Sequence, residues 1–305
     1  MATGSRVTQV APDIYLIDCF FAGLPGQCGV FLVRGESPAL VDTGPSVNAP
    51  DVVAGLAHLG LSAADVRYIL LTHFHLDHAG AVSYLLERNA EASVLVDPGS
   101  ISFLTEPERL VRSAQRSLGE VARHYGTMLP VAGERITPLQ DGCELDLGGG
   151  KYLRAMHTPG HSRGHFAFYE PGSGALLCGD ALGHFMQEAS YIFPATPAPE
   201  FDLAASLDSA ARLAKLSPEV LLFPHFGFSR DVHAVIQQFM DQVKRFVQMA
   251  AGLEEGKRDP QHLAELLFRD LPGLGDDEAE LQRGILTVNA AGILHYLSRS
   301  ARKGL

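Results

Sequence analysis

Residues 72–80 read Thr72-His73-Phe74-His75-Leu76-Asp77-His78-Ala79-Gly80. The stretch before it, residues 66–71 (VRYILL), reads as a strand buried on both faces, and residues 77–87 read as a helix that Asp77 is placed to cap. His73 and His75 stand two apart and share one side of an extended segment. Asp77 and His78 follow at the helix start, so four donors converge on one strand-to-helix turn. Imidazole and carboxylate are the ligands of zinc and related divalent ions, and this spacing is that of a metal site. A solvated loop with capping side chains is the plain alternative.

Three more donors stand at strand ends further along. His161 lies in Thr158-Pro159-Gly160-His161-Ser162, Asp180 follows the apolar residues 175–178, and His225 lies in Phe223-Pro224-His225-Phe226-Gly227. Open α/β sheets bind ligands beyond the carboxyl ends of their strands, which puts all these residues on one edge.

Working outward, strands are expected at 13–19, 29–34, 39–41 and 94–96, with a helix at 48–59. A helix at 106–125 forms an insertion spanning about 100–130. Strands at 152–156, 165–169, 175–178 and 220–223, with a helix at 202–213, make a second strand-rich half. From 231 the strand pattern stops, and helices are expected at 231–249, 261–269 and 278–300. The fold class is α/β, with a catalytic domain at 1–230 and a helical C-terminal extension at 231–305. The apolar stripes of 106–125 and 231–249 suit core or dimer packing, a homodimer being the assembly they allow, or a lid over the site.

The chain has 305 residues, 46% hydrophobic and 19% charged, which excludes a disordered or fibrous protein. Its 24 Lys and Arg against 35 Asp and Glu leave a net charge of −11, so a charge-driven nucleic-acid partner is not expected. No apolar run approaches the roughly 18 residues of a membrane span. Residues 1–6 show no charged-then-apolar leader, and a cytoplasmic location is expected. The four cysteines stand apart and read as buried thiols.

The order HxHxDH, His, Asp, His resembles that of the metallo-β-lactamase fold superfamily over residues 7–230, in its glyoxalase II-like and lactonase-like branch. The resemblance implies an αββα sandwich with a helical C-terminal extension. By it, His73, His75 and His161 hold a first metal, Asp77, His78 and His225 a second, and Asp180 bridges them. The implied cofactors are two divalent ions, zinc foremost, with iron or manganese as alternatives. Val41-Asp42-Thr43-Gly44 matches an early strand-end motif, so Asp42 is expected to orient the histidine loop. The implied chemistry is hydrolysis of a small ester-like bond, lactone or thioester, by a metal-bridging hydroxide, with Asp77 also moving a proton. Asp77 and Asp180 are thus the expected catalytic residues.

Departures from particular branches narrow the substrate. True β-lactamases of this fold carry Cys or Ser where this chain has Asp180. The nuclease branch inserts a domain that does not fit between Asp180 and His225, although a small-molecule phosphodiesterase stays open. Glyoxalase II-like thioesterases add C-terminal helices that bind glutathione, but residues 270–295 offer only the isolated Arg283, with Lys303 near the tail. Lactonases of this pattern place a Tyr where Gly183 stands. His184 and Tyr191 are candidate substrate contacts, with Phe20, Phe21 and Leu24 of the early Gly-Pro loop. Residues 191–202 resemble a bacterial and archaeal branch whose substrates are unassigned. His165 reads as a hydrogen-bonding strand residue. A second enzyme class, sulfur (persulfide) dioxygenases of the same fold, keeps most of these residues around one iron.

Overall fold

A computed structural model describes residues 7–303; the leader reading on residues 1–6 lies outside them, as does the side chain of Lys303. The first sheet holds β1 (Val7–Ala11), β2 (Ile14–Asp18), β3 (Gly29–Val33), β4 (Ala39–Val41), β5 (Tyr68–Leu70), β6 (Ser93–Val96) and β7 (Ile136–Pro138), side by side in chain order. The second runs β15 (Gly227–Ser229), β14 (Val220–Phe223), β11 (Ala175–Leu177), β10 (Phe166–Glu170), β9 (Tyr152–His157), β8 (Glu144–Asp146). β12 (His184–Met186) and β13 (Tyr191–Phe193) pair as a separate hairpin, which the Phe226 N–H joins to the β14–β15 turn by donating to the Phe185 carbonyl at 3.0 Å.

Alternation along the strands builds three cores. Phe31, Val33, Val41 and Leu70 of the first sheet meet Phe166, Phe168, Leu177 and Leu222 of the second. Their neighbours Val30, Leu32, Leu40 and Ile69 face the opposite way, into a core covered by helices α1 (Ala49–His58), α3 (Val82–Leu86) and α5 (Glu108–Leu118). Leu176, Leu221 and Phe223 likewise back onto α6 (Leu203–Ala214), α7 (Val232–Ala251), α8 (Pro260–Phe268) and α9 (Asp276–Lys303). The layers are helices, sheet, sheet, helices, an αββα sandwich. Because both strand faces are buried, the strands read as continuous apolar runs, and each Val, Leu or Phe so buried contributes about 1.5–3 kcal/mol. Helix α9 lends Leu281 to the first core and Leu286, Ala290 and Ile293 to the second.

Two expected helices are broken. In place of one helix over 77–87, α2 (Leu76–Ala79) begins after His75 and ends at Gly80, and α3 starts afresh. Gly80 passes against the loop after β4, where a Cβ would lie 2.9 Å from the Ser46 nitrogen, and Ala81 N–H donates to the Gly44 carbonyl. Asp77 therefore sits inside a one-turn helix with its carboxylate free for the site. In place of one helix over 106–125, α5 covers Glu108–Leu118 and a 3₁₀ segment runs from Gly119 to His124, while α4 (Ile101–Thr105) lies before them, across Pro107. Proline at the start and glycine at the end of α5 explain both limits.

Strand direction positions the site. The pairs β4–β5 and β11–β14 are parallel, and Asp42, Thr72, Asp180 and His225 all follow their carboxyl ends. No helix among the described residues is long and apolar enough to cross a membrane. All four cysteines are free, with Cys19, Cys28 and Cys178 buried.

Candidate metal centre

Three imidazoles converge first. His73 Nε2 lies 2.9 Å from His75 Nδ1, and His161 Nε2 lies 3.1 Å and 3.0 Å from those two atoms. The edge of a tetrahedron of ligands about 2.0 Å from its centre is about 3.3 Å, so the spacing suits one ion. The far nitrogens fix the tautomers: His161 Nδ1–H donates to the Ala195 carbonyl at 3.1 Å, and His73 Nδ1–H to Thr72 Oγ1 at 3.0 Å. Their Nε2 lone pairs are then aimed at a shared point, an arrangement that repels unless a cation lies between them. Burial, reinforced by the neighbouring imidazoles, keeps His73 well below the ordinary histidine value. His161 is lowered to about 3, chiefly by burial. Both are therefore neutral and ready to ligate at pH 7.

A second group stands beside it. His225 Nε2 lies 3.2 Å from His78 Nε2 and 3.5 Å from Asp77 Oδ2. His225 Nδ1–H donates to the Gln27 carbonyl at 2.8 Å, and His78 Nδ1–H to Asp42 Oδ2 at 2.8 Å. Burial opposes charge on His78, yet Asp180, Asp42 and Asp77 raise it well above the ordinary value. Asp180 and Asp77 likewise raise His225 against its burial. This pocket stabilises positive charge.

Asp180 joins the two groups. Its Oδ2 lies 3.5 Å from His161 Nε2, and its Oδ1 lies 3.4 Å from His78 Nε2. Oδ1 is buried without a hydrogen-bond partner, an arrangement that costs free energy unless a cation meets it. The donor set fits divalent cations on both sides of this carboxylate. Asp180 is itself held from behind, its N–H donating to His165 Nε2 at 2.9 Å, while His165 Nδ1–H donates to Thr158 Oγ1 at 2.8 Å.

The family model described as the metallo-beta-lactamase superfamily matches residues 23–225, more than half of the chain. The chain belongs to the metallo-beta-lactamase superfamily. Metallo-beta-lactamase fold-containing protein ST1585 of Sulfurisphaera tokodaii is 33% identical over 209 residues, covering 67% of this chain and 74% of that protein. A hydroxyacylglutathione hydrolase of Dechloromonas aromatica is 34% identical over 182 residues, 60% of this chain and 52% of that enzyme, so the match spans about half of it. The solved structure of the metallo-beta-lactamase family protein TTHA1429 from Thermus thermophilus aligns with a TM-score of 0.73 at 27% identity, covering 95% of this chain and 94% of that one.

Within this superfamily fold, the seven expected donors are brought together, and Asp42 lies beneath them. It accepts from Thr72 N–H at 2.8 Å as well as from His78, and is 1% exposed. His184 stands closer to the centre than a peripheral substrate contact. Its Nε2 is 3.6 Å from Asp180 Oδ2, and its ring lies against that of His225 with centroids 4.3 Å apart. Tyr191 is a correction: it does not line the cavity above the centre, but packs on the second core, with Asp270 and Arg245 as the charges acting on it. The cavity holds about 960 Å³ and opens onto His75, Asp77, His161, Asp180, His184 and His225. Of the two stretches read as a lid, α5 lines it and α7 does not; α4 and α9 supply further helical wall.

Proposed function

We propose that the chain is a metal-dependent hydrolase of a small ester-like bond, lactone, thioester or related, working with two divalent ions, zinc foremost. The observation that carries this reading is Asp180, whose two oxygens face two separate donor groups. His73, His75 and His161 would hold one ion and Asp77, His78 and His225 the other. When bound, such a pair acidifies a water toward neutrality and polarises the substrate carbonyl. Burial raises the Asp77 carboxyl, but His78 and His225 outweigh it and keep the group ionised. Its side chain is 18% exposed at the cavity floor, so it is placed to accept a proton from the attacking water and return it to the leaving group. The complete second donor group favours this reading over a one-iron oxygenase.

The test is a hydrolysis screen over lactones, thioesters and phosphodiesters with zinc-loaded and chelator-stripped protein. Hydrolysis of a carboxylic ester or thioester that disappears on stripping and returns with zinc supports the proposal. Oxygen uptake on a persulfide by iron-loaded protein, without hydrolysis, contradicts it.

A further inference from the structure

Resting on the hydrolase reading above, we infer that the substrate is an uncharged ester, thioester or lactone with an apolar body, and that anionic thioesters such as those of glutathione are disfavoured. Two features of the cavity carry this. Its inner wall is apolar: Phe74 stacks on Phe103 with centroids 4.1 Å apart, Phe21 meets Tyr125 edge-on at 4.9 Å, and Leu281 and Ile285 of α9 complete the wall. At about 960 Å³ it stands at the upper end of small-molecule sites, large enough for an acyl chain or ring system in addition to the reacting bond.

The second feature is charge. Away from the metal centre the lining carries Glu106, Glu188, Glu200 and Glu278 against the single guanidinium of Arg109. Glu200 accepts from Arg163 N–H at 3.1 Å, and Glu278 from Gly275 N–H at 3.3 Å, bonds that leave both charges in place. Arg283 of α9 is occupied elsewhere: it pairs with Glu265 at 3.4 Å and lies over the Phe268 ring at 3.9 Å from its centroid. Among its described residues, the C-terminal helix thus presents apolar, polar and acidic groups to the cavity and no cation. A ligand carboxylate meets repulsion at the rim, whereas an uncharged acyl group exchanges water for aromatic and aliphatic surface.

The test compares two thioesters with the same octanoyl group and the same scissile bond: S-octanoyl-N-acetylcysteamine, which is uncharged, and S-octanoylglutathione, which is anionic. In both, water adds to the carbonyl carbon, the C–S bond breaks, and the products are octanoic acid and the free thiol carrying the proton. With zinc-loaded protein at low ionic strength, kcat/KM favours the uncharged thioester by about tenfold or more. The gap narrows at about 0.5 M salt, and Glu200→Gln with Glu278→Gln narrows it at low salt. Equal or faster turnover of the glutathione thioester overturns the inference and leaves the hydrolase reading standing. Calorimetry with the uncleavable S-octyl thioethers of the same two thiols gives an independent readout. Tighter binding of the uncharged thioether supports the cavity's preference for an uncharged apolar ligand whether or not either thioester is hydrolysed, and the hydrolase reading stands or falls on the metal-dependent screen. Tighter binding of S-octylglutathione overturns the inference.

Discussion

Asp42, whose own backbone lies in the left-handed region at φ 62°, accepts through Oδ2 from His78 Nδ1–H at 2.8 Å. One buried carboxylate therefore fixes both the entry to the histidine turn, through Thr72 N–H, and the tautomer of a ring whose other nitrogen faces Asp180. Replacing it removes orientation without removing any donor. Asp42→Ala is expected to weaken metal binding by about 10–100-fold, measured by competition with a chromophoric chelator, while folding is retained.

Among the described residues, Asp180 alone has a carboxylate that reaches into both donor groups with separate oxygens, so its loss affects both. Asp180→Ala is expected to lower kcat/KM by about 10²–10³-fold or more and to reduce the bound metal. Steady-state kinetics and elemental analysis on the same preparation check this.

Asp77 tests a different role. Asp77→Asn keeps an oxygen toward His225 but cannot take a proton, and turnover is expected to fall by about 10²–10⁴-fold. Full turnover with normal metal content in the variant is the result that opposes a proton-transfer role.

The buried imidazoles set the acid response of the metal-free protein. His73, His75, His161, His165 and His184 all have folded-state values lowered from the ordinary one, burial being the first cause in each. A group lowered in the folded state adds stability above its unfolded value of about 6.5, and that stability is lost as pH falls toward the folded value. His78 and His225 are raised and act in the opposite sense: their contribution is full below about 6.5 and is lost as pH rises through their folded values. With five groups against two, the Tm of stripped protein is expected to fall by about 5 °C or more from about pH 7.5 to about pH 5, followed by calorimetry.

Helix α9 is held against the loop after β13 at Gly292. A Cβ there would lie 2.6 Å from the Pro197 carbonyl carbon and 2.7 Å from the Ala198 nitrogen, and Asn289 accepts from Thr196 N–H one turn earlier. Gly292→Ala is expected to cost about 1–3 kcal/mol in urea unfolding and to loosen the cavity wall that α9 supplies.

The donors were legible because each sits at the carboxyl end of an apolar run, where a His or Asp has no packing reason to stand. Strands buried on both faces were equally plain. The strands not anticipated are β1, β7, β8 and β15, which are the edges of the two sheets, and the β12–β13 hairpin. Short edge strands carry weak apolar patterning and mix with turn residues. Tyr191 lies in that unanticipated hairpin: it shares a face with His184, but pairs with Met186 at the turn end, where it packs on the second core. His165 reads as a hydrogen-bonding residue, and it accepts from the Asp180 N–H of the turn after the neighbouring strand β11, a pairing that sequence spacing does not reveal. The cavity wall from α9 lies about two hundred residues beyond the histidine turn, and no local pattern announces that contact.

The central claim is a two-ion centre, and the most direct measurement is elemental analysis of protein purified without chelator or added metal. About two zinc, iron or manganese ions per chain, falling on Asp180→Ala substitution, is the predicted result. One ion per chain that Asp77→Ala and His225→Ala leave untouched would contradict it.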